Sequence, residues 1–310
     1  RNGSFIVDQA IAPSSLDTDG EFGQGIAISE DGKWLYVGQP GVNEGSIWAY
    51  QLNAVSGNVS QTILADGSTA TFTLTGDLVN PASIHALKIV GSNGYLQIPY
   101  RDFTLSGNDI TFTSAPQFGE FTVFLQSYYD FVTKINLADS SNDRFGFNVS
   151  TSTDGSQIIV GAPTANQNGT SDIGKVYVIE RTIQKFYADS TTKVFVVDSN
   201  VQGNIVVKVD DLDKAINTDF VFDGNKTITF TSAPSAGSIV TIESNGFILT
   251  QTLVDFESIQ ASAQFGYSLD LCPNNCSLYV GAPFEDDTTI DGGKVHRFIN
   301  QGRFFGNVTG

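Results

Sequence analysis

The sequence contains no Met, only two Cys and only two His among its 310 residues. The two Cys, Cys272 and Cys276, are too few and too closely spaced for a four-ligand zinc site, and two His leave little scope for histidine-based catalysis. Basic residues are also scarce, since 16 Lys and Arg stand against 33 Asp and Glu, for a net charge of −17. This balance argues against a nucleic-acid partner and against binding to an anionic membrane by charge.

Long apolar runs are missing too. No stretch approaches the roughly 20 apolar residues that a membrane-spanning helix needs, and no signal-type segment leads the chain. We therefore expect no membrane insertion. The hydrophobic content of 40% is nevertheless sufficient for a substantial core. Because Met is absent and Arg1 lies inside what proves to be a repeat, we expect this chain to be a piece of a longer polypeptide.

One motif occurs three times along the chain. It opens with Phe-Gly, reaches a Gly-x-Pro segment in which Pro lies 18 residues after the Phe, and closes with an apolar strand. Successive copies begin about 120 residues apart, so the chain contains an internal sequence repeat. The copies occupy residues 22–50, 145–179 and 265–298.

Each copy predicts a strand, a tight turn and a returning strand. The turns are Asp31-Gly32, Asp154-Gly155 and Asn274-Asn275, residue types that tolerate positive φ. The returning strands are apolar at consecutive positions, as in Ile158-Ile159-Val160, which indicates that both faces of the sheet are covered. In a repeat protein the simplest cover is the neighbouring sheet, as in the blades of a propeller.

Two further segments separate the copies and resemble each other. Both contain Ile-Thr-Phe-Thr-Ser-Ala-Pro, at residues 110–116 and 228–234, and their alternation predicts half-buried strands. Each segment is followed by a strand-like stretch, residues 131–137 and 247–253, that we interpret as the fourth strand of a sheet. Each segment is therefore predicted to be a compact insert at the hairpin between strands 3 and 4.

The predicted fold is all-β: a partial β-propeller of four-stranded antiparallel blades, with small β-sandwich domains inserted between strands 3 and 4. Three sheets do not close a ring, because propellers have at least four blades. We expect the array to continue in a longer polypeptide, with assembly of separate copies as the alternative. The predicted domains are 1–52 (first blade), 53–130 (first insert), 131–181 (second blade), 182–246 (second insert), 247–299 (third blade) and 300–310 (start of a truncated insert or a tail).

The repeated motif resembles the FG-GAP repeat, which builds a β-propeller in integrin α subunits and many surface proteins. One departure concerns calcium, which many FG-GAP repeats hold in an Asp-rich loop between strands 1 and 2. Here those loops are tight turns that cannot supply six to eight oxygens, so we predict no metal there. The inserts are similar to β-sandwich modules of phage tail-fibre and other virion structural proteins. That similarity rests on residues 66–69 with Phe72 and on the two Ile-Thr-Phe-Thr-Ser-Ala-Pro segments.

Two local features are candidate sites. The loop at residues 285–292 carries Glu285, Asp286, Asp287 and Asp291, which is either a solvated acidic loop or a cation site, with calcium as the candidate ion. Cys272 and Cys276 flank a turn and are interpreted either as a local disulfide or as two free thiols. No other cofactor is expected.

Nothing in the sequence marks a catalytic site, because it has no Ser-His-Asp constellation and no phosphate-binding Gly loop. We therefore expect a non-enzymatic structural or binding protein of a virion appendage or cell surface. Its expected partners are other copies, other virion or surface proteins, and surface glycans. The alternatives are a bacterial cell-surface adhesin and the non-catalytic part of a carbohydrate-active enzyme.

Overall fold

The computed structural model of the chain describes residues 9, 11–12, 19–54, 59–79, 81, 83–91, 94, 96–97, 99, 101–137, 142–197, 205–255, 260–272, 275–286, 289–301 and 305–307. These residues form antiparallel β-sheets, which confirms the predicted all-β class. Their only helices are two three-residue 3-10 helices, Gly76–Leu78 and Ile84–Ala86. Neither is long and apolar enough to cross a membrane.

Twenty-four strands follow one another along the described chain. The first eleven are β1 (Ile26–Ile28), β2 (Trp34–Gln39), β3 (Ser46–Asn53), β4 (Ser60–Ala65), β5 (Thr71–Thr73), β6 (Leu87–Val90), β7 (Leu96–Gln97), β8 (Phe103–Ser106), β9 (Asp109–Phe112), β10 (Gly119–Leu125) and β11 (Tyr128–Ile135). The next nine are β12 (Asn148–Thr151), β13 (Gln157–Ala162), β14 (Lys175–Tyr187), β15 (Val194–Val196), β16 (Ile205–Val209), β17 (Leu212–Lys214), β18 (Phe220–Phe222), β19 (Thr227–Phe230) and β20 (Ile239–Leu253). The last four are β21 (Ser268–Leu271), β22 (Ser277–Ala282), β23 (Lys294–Asn300) and β24 (Phe305–Asn307).

The chain divides into two compact units, Arg1–Ser15 with Gln51–Phe131, and Leu16–Tyr50 with Val132–Gly310. Three sheets carry the three copies of the sequence motif. Repeat sheet 1 has the strand order β1-β2-β3-β11 and repeat sheet 3 has β21-β22-β23-β24, whereas repeat sheet 2 is the part β12-β13-β14-β20 of a six-stranded sheet. The motif therefore supplies the first three strands of each sheet, and the fourth strand follows the hairpin that can carry an insert.

Repeat sheet 2 is covered on both faces by its neighbours. One core joins Trp34, Tyr36 and Ile47 of repeat sheet 1 to repeat sheet 2, and a second core joins repeat sheet 2 to repeat sheet 3. Adjacent residues of β13 point into different cores: Ile158 and Val160 pack in the first core and Ile159 packs in the second. The continuous apolar run thus has the physical cause that the sequence suggested.

The two inserts are each built from two facing sheets. In the first, the sheet β4-β10-β6-β7 and the sheet β5-β9-β8 enclose a core that includes Leu87, Phe103 and Phe121. In the second, the insert parts of β14 and β20 with β16 and β17 face the sheet β15-β19-β18 around Phe220, Ile228 and Val240. The alternating burial of Thr227–Phe230 fits strands with one solvated face.

Repeat sheet 2 and the second insert share two long strands. The 13-residue β14 and the 15-residue β20 pair from Val176↔Leu253 to Tyr187↔Ile239, so one six-stranded sheet includes both regions. Register shifts between Val178 and Ile179 and between Arg181 and Ile183 bend the ladder without ending it. The expected separate four-stranded blade is therefore not present here, and the boundaries at 181 and 246 fall within continuous strands.

The end of the chain also differs from expectation. Residues 300–310 were expected to begin an insert or a tail, but Phe305–Asn307 pairs with β23 and forms the fourth strand of repeat sheet 3. Only a short connection separates β23 from β24, which is sufficient for a hairpin loop. Within the first predicted blade, residues 1–8, 10 and 13–18 lie outside the described residues. No sheet among the described strands closes on itself, so the architecture established here is a stack of antiparallel sheets.

Candidate functional site

Repeat sheet 3 encloses a cluster of charged side chains. Glu285 is fully buried; one of its carboxylate oxygens accepts a hydrogen bond from Lys294 Nζ at 2.8 Å, and the other lies 2.5 Å from His296 Nε2. Asp255 is buried beside them, and one ligand atom from each of Asp255, Glu285 and His296 lies within 4.8 Å of the other two. Glu285 and His296 lie 11 residues apart in sequence, and Asp255, from the segment that follows β20, joins them in one buried polar site.

The repeat explains how these side chains are positioned. Glu285 follows the Gly-Ala-Pro segment and His296 lies on β23, where its ring packs edge to face on Phe265 at 5.3 Å. In repeat sheet 2 the corresponding positions hold Ala165 and Tyr177, which are buried in an apolar core. The third copy has thus replaced a buried apolar pair with a buried polar one. Such a pair persists only where its partners satisfy it.

The predicted acidic site is only partly assembled. Glu285 turns into the core, whereas Asp291 is exposed and its backbone N–H donates to Asp286 Oδ1 at 2.6 Å. Asp287 lies outside the described residues. The residues that Glu285 does meet, Asp255 and His296, were not connected by the sequence argument. One signal in the sequence could have connected Glu285 with His296. Both replace residues of the second copy, Ala165 and Tyr177, at positions that the repeat predicts to be buried.

The donor set of this cluster does not suit calcium, because calcium takes six to eight oxygens and the cluster offers two carboxylates and one imidazole. Imidazole with carboxylates is a set that zinc and other transition metals accept. However, both oxygens of Glu285 are already engaged by Lys294 and His296, and the Lys294 ammonium opposes a second cation. The arrangement is therefore best understood as a closed network of buried polar contacts around Glu285.

The turn between the first two strands is closed differently in the third copy. In repeat sheet 1, Ser29 Oγ donates to Asp31 Oδ1 at 2.7 Å and accepts from Trp34 N–H at 2.9 Å, and Ser152 does the same in repeat sheet 2. Cys272 occupies this Ser position and forms a disulfide with Cys276. A covalent bond thus takes the place of a hydrogen-bonded Ser-Asp turn.

Glycines of the motif make the closest contacts between neighbouring repeat sheets. A Cβ on Gly38 would lie 1.9 Å from the carbonyl oxygen of Gly146, and a Cβ on Gly161 would lie 2.1 Å from that of Gly266. Only glycine permits these approaches. The Phe-Gly element of one copy is therefore seated against the Gly-x-Pro element of the copy before it.

Both inserts have a surface cavity beside the Ser-Ala-Pro segment. In the first insert the cavity measures about 260 Å³ and is lined in part by Gln97, Phe112 and Glu120. In the second it measures about 430 Å³ and is lined in part by Lys214 and Phe230. The same position of a repeated module thus forms a concave surface with polar and aromatic lining.

Comparison with known families identifies one segment. An FG-GAP repeat family model matches residues 132–179, which include the end of β11, β12, β13 and the first part of β14. The chain therefore contains an FG-GAP repeat at these residues, which supports the resemblance drawn from the motif. No curated protein matches the chain.

Proposed function

We propose that this chain is a non-enzymatic structural and binding protein of a virion appendage or cell surface, in which the repeat sheets are blades of a partial β-propeller. The observation that carries the proposal is the stack itself. The same glycine contacts and the same kind of apolar core recur at both interfaces between repeat sheets. Recurrence of one interface is the property that builds repeat arrays.

The inserts suggest the binding part of the function. They extend from the hairpin between strands 3 and 4, and each presents the cavity beside Ser-Ala-Pro. A cavity with an aromatic wall and a few polar groups suits a sugar ring, which stacks on aromatic faces and forms hydrogen bonds at its edge. A net charge of −17 disfavours anionic glycans, so the proposed ligands are neutral glycans on a host or neighbouring surface.

Burial supports a non-catalytic assignment for the most conspicuous polar cluster. Glu285 and His296 are 0% and 8% exposed, so a polymeric substrate could not reach them without opening of repeat sheet 3. The competing assignments are an adhesin of the same build and the binding part of a carbohydrate-active enzyme.

A glycan array probed with the labelled whole chain tests the binding proposal. We expect binding to neutral glycans without release of reducing sugars. Gln97→Ala and Lys214→Ala, which alter the two cavities, should each weaken binding about tenfold or less, as expected for loss of one polar contact. Lys185→Ala, an exposed change on β14 of the second insert outside the cavity, is the matched control.

Three results decide the assignment. Sugar release that Glu285→Gln abolishes would contradict a non-enzymatic role. Glycan affinity that neither Gln97→Ala nor Lys214→Ala changes would contradict binding in the cavities. Antibody labelling of intact virions or cells of the source, followed by electron microscopy, tests the location, and labelling confined to lysed cells would contradict it.

A further inference from the structure

The outer face of repeat sheet 3 exposes positions that are buried in the other two repeat sheets. Val295 is 72% exposed, whereas its equivalents Ile47 and Val176 are fully buried against the next sheet. Tyr279 is 41% exposed, whereas its equivalents Tyr36 and Ile159 are fully buried. This face thus has the residues of an inner interface without a neighbouring repeat sheet among the described residues.

The outer face of repeat sheet 1 exposes the positions that form the other side of the same interface. Ile26 on β1 is 63% exposed, although its equivalent in repeat sheet 2, Val149, is buried against repeat sheet 1. Phe22 is only half-buried, whereas Phe145 and Phe265, the Phe residues of the other two Phe-Gly elements, are buried. Among the described residues, the outer face of repeat sheet 1 therefore presents one half of the repeated interface, and the outer face of repeat sheet 3 presents the other half.

The glycines show the same pattern at atomic scale. A Cβ on Gly146 would lie 2.5 Å from the carbonyl oxygen of Ser46 in the preceding sheet, but a Cβ on Gly23 would meet no atom of the described chain within 4 Å. A Cβ on Gly281 would meet only Ser268 of its own sheet, not a following Phe-Gly element. Gly23 and Gly281 are the two halves of the contact that Gly38–Gly146 and Gly161–Gly266 make inside the stack.

We propose that two copies of this chain associate head to tail, with repeat sheet 3 of one copy packed against repeat sheet 1 of the other. Gly281 would then face Gly23 of the second copy, and Val295 would face Ile26. A second copy is the occupant that the observations favour, because the chain itself carries both halves of the interface and no other protein is needed to complete it. The apolar residues on the outer faces of repeat sheets 1 and 3 also need a cover, because repeats of this kind bury such faces against a neighbour.

The backbone supplies a specific contact for this interface. Inside the stack, Phe145 N–H donates to the carbonyl of Glu44 at 2.8 Å, and Phe265 N–H donates to the carbonyl of Ile173 at 2.7 Å. These acceptors precede Gly45 and Gly174, which form parallel bridges with the same Phe residues. The equivalent bond between copies runs from Phe22 N–H to the carbonyl of Gly292. Two copies supply six repeat sheets, within the range of four to eight that closed propellers contain.

Sedimentation velocity of the whole chain, up to about 100 μM, tests the proposal, since that concentration populates any contact with a micromolar Kd. We expect dimers or larger species, whose formation increases with salt because two chains of charge −17 repel each other until screened. Val295→Asp and Ile26→Asp should each weaken association about a hundredfold, because each would bury an unpaired charge. Val221→Asp, at an exposed position on the second insert, is the matched control.

Mixing the two variants distinguishes a head-to-tail contact from a symmetric one. Val295→Asp retains an intact repeat sheet 1 face and Ile26→Asp retains an intact repeat sheet 3 face, so the mixture should form heterodimers although neither variant self-associates. A wild-type chain that stays monomeric, association that neither variant weakens, or a mixture that stays monomeric would each overturn the proposal. Such a failure would leave the proposed binding function intact, because glycan binding is assigned to the cavities of the inserts, which none of these variants changes.

Discussion

The hydroxyl of Tyr36 in repeat sheet 1 donates a 2.5 Å hydrogen bond to the carbonyl oxygen of Gly155 in repeat sheet 2. The ring also packs edge to face on Phe247, at the start of the fourth-strand part of β20, with centroids 6.0 Å apart. Burial raises the pKa of Tyr36 well above its ordinary value, so the hydroxyl is protonated and can donate at neutral pH. One side chain thus connects two repeat sheets through a turn and a strand.

Removal of this hydroxyl should weaken the contact between repeat sheets 1 and 2. We expect Tyr36→Phe to lower the free energy of unfolding by about 1–2 kcal/mol, because it leaves the Gly155 carbonyl without its donor. At protein concentrations at which the chain is monomeric, the same substitution at the equivalent Tyr279, which is 41% exposed, should change stability by less than about 0.5 kcal/mol. Urea denaturation of both variants provides the comparison, and equal losses would contradict this role for Tyr36.

The close approach of glycines between repeat sheets yields a second prediction. A Cβ on Gly161 would lie 2.1 Å from a backbone oxygen of Gly266, which cannot move without separating the sheets. Gly161→Ala should therefore destabilise the chain by about 2–3 kcal/mol. Gly281→Ala, compared at protein concentrations at which the chain is monomeric, is the control, because within the chain the closest atom its Cβ would meet is the Ser268 hydroxyl, which can rotate. Thermal unfolding that ranks Gly281→Ala as the more damaging change would contradict the packing argument.

The repeat made much of the fold predictable, because it fixes which positions are equivalent. The continuous apolar run Ile158–Val160 indicated a sheet covered on both faces, and the structure shows both cores. The continuity of β14 into the second insert was not predictable. The two strands pair through register shifts, and the pattern of apolar residues does not show whether a strand continues past such a shift. The cluster around Glu285 was missed because Asp255 lies on a distant segment, and only the fold brings the two together.

The buried Glu285 should contribute strongly to stability through its two partners. We expect Glu285→Ala to cost about 3–5 kcal/mol, since it leaves His296 and Lys294 without their common acceptor. Glu30→Ala, on an exposed turn of repeat sheet 1, is the matched control and should be nearly neutral.

A double variant tests whether this cost arises from unpaired partners. Glu285→Ala with His296→Tyr reproduces the Ala165 and Tyr177 pair of repeat sheet 2, so it should be more stable than Glu285→Ala alone. A double-mutant cycle from urea denaturation gives the coupling free energy. Simple additivity of the two changes would contradict a coupled pair.

The disulfide in the third turn should stabilise repeat sheet 3. Cys272 and Cys276 close a short loop, for which restriction of the unfolded chain contributes about 2 kcal/mol. Dithiothreitol should therefore lower the unfolding midpoint of the wild-type chain. It should not affect the Cys272→Ser, Cys276→Ser double variant, whose midpoint should match that of the reduced wild type. An unchanged wild-type midpoint under full reduction, checked by mass after alkylation, would contradict this contribution.

Two Asp residues at equivalent positions of the inserts predict a loss of stability in acid. Asp66 Oδ1 accepts from the backbone N–H groups of Thr69 and Ser68 at 2.7 and 2.8 Å, and Asp189 accepts from Thr192 and Thr191 at 2.6 and 2.8 Å. These backbone donors hold the pKa of both carboxyl groups well below the ordinary value. Because the folded pKa is the lower one, the stabilisation is complete at neutral pH.

The stabilisation should decline as the pH falls below about 4, where the unfolded carboxylates take up protons first. Asp189→Asn removes one of these ionisations, so the stability difference between wild type and variant should be largest at pH 7 and should shrink toward pH 2. Leu212→Gln, an exposed change between uncharged residues on β17 of the same insert, should show no such convergence. Urea denaturation at a series of pH values measures both differences. A difference for Asp189→Asn that stays constant below pH 4 would show that the turn does not depend on the carboxylate charge.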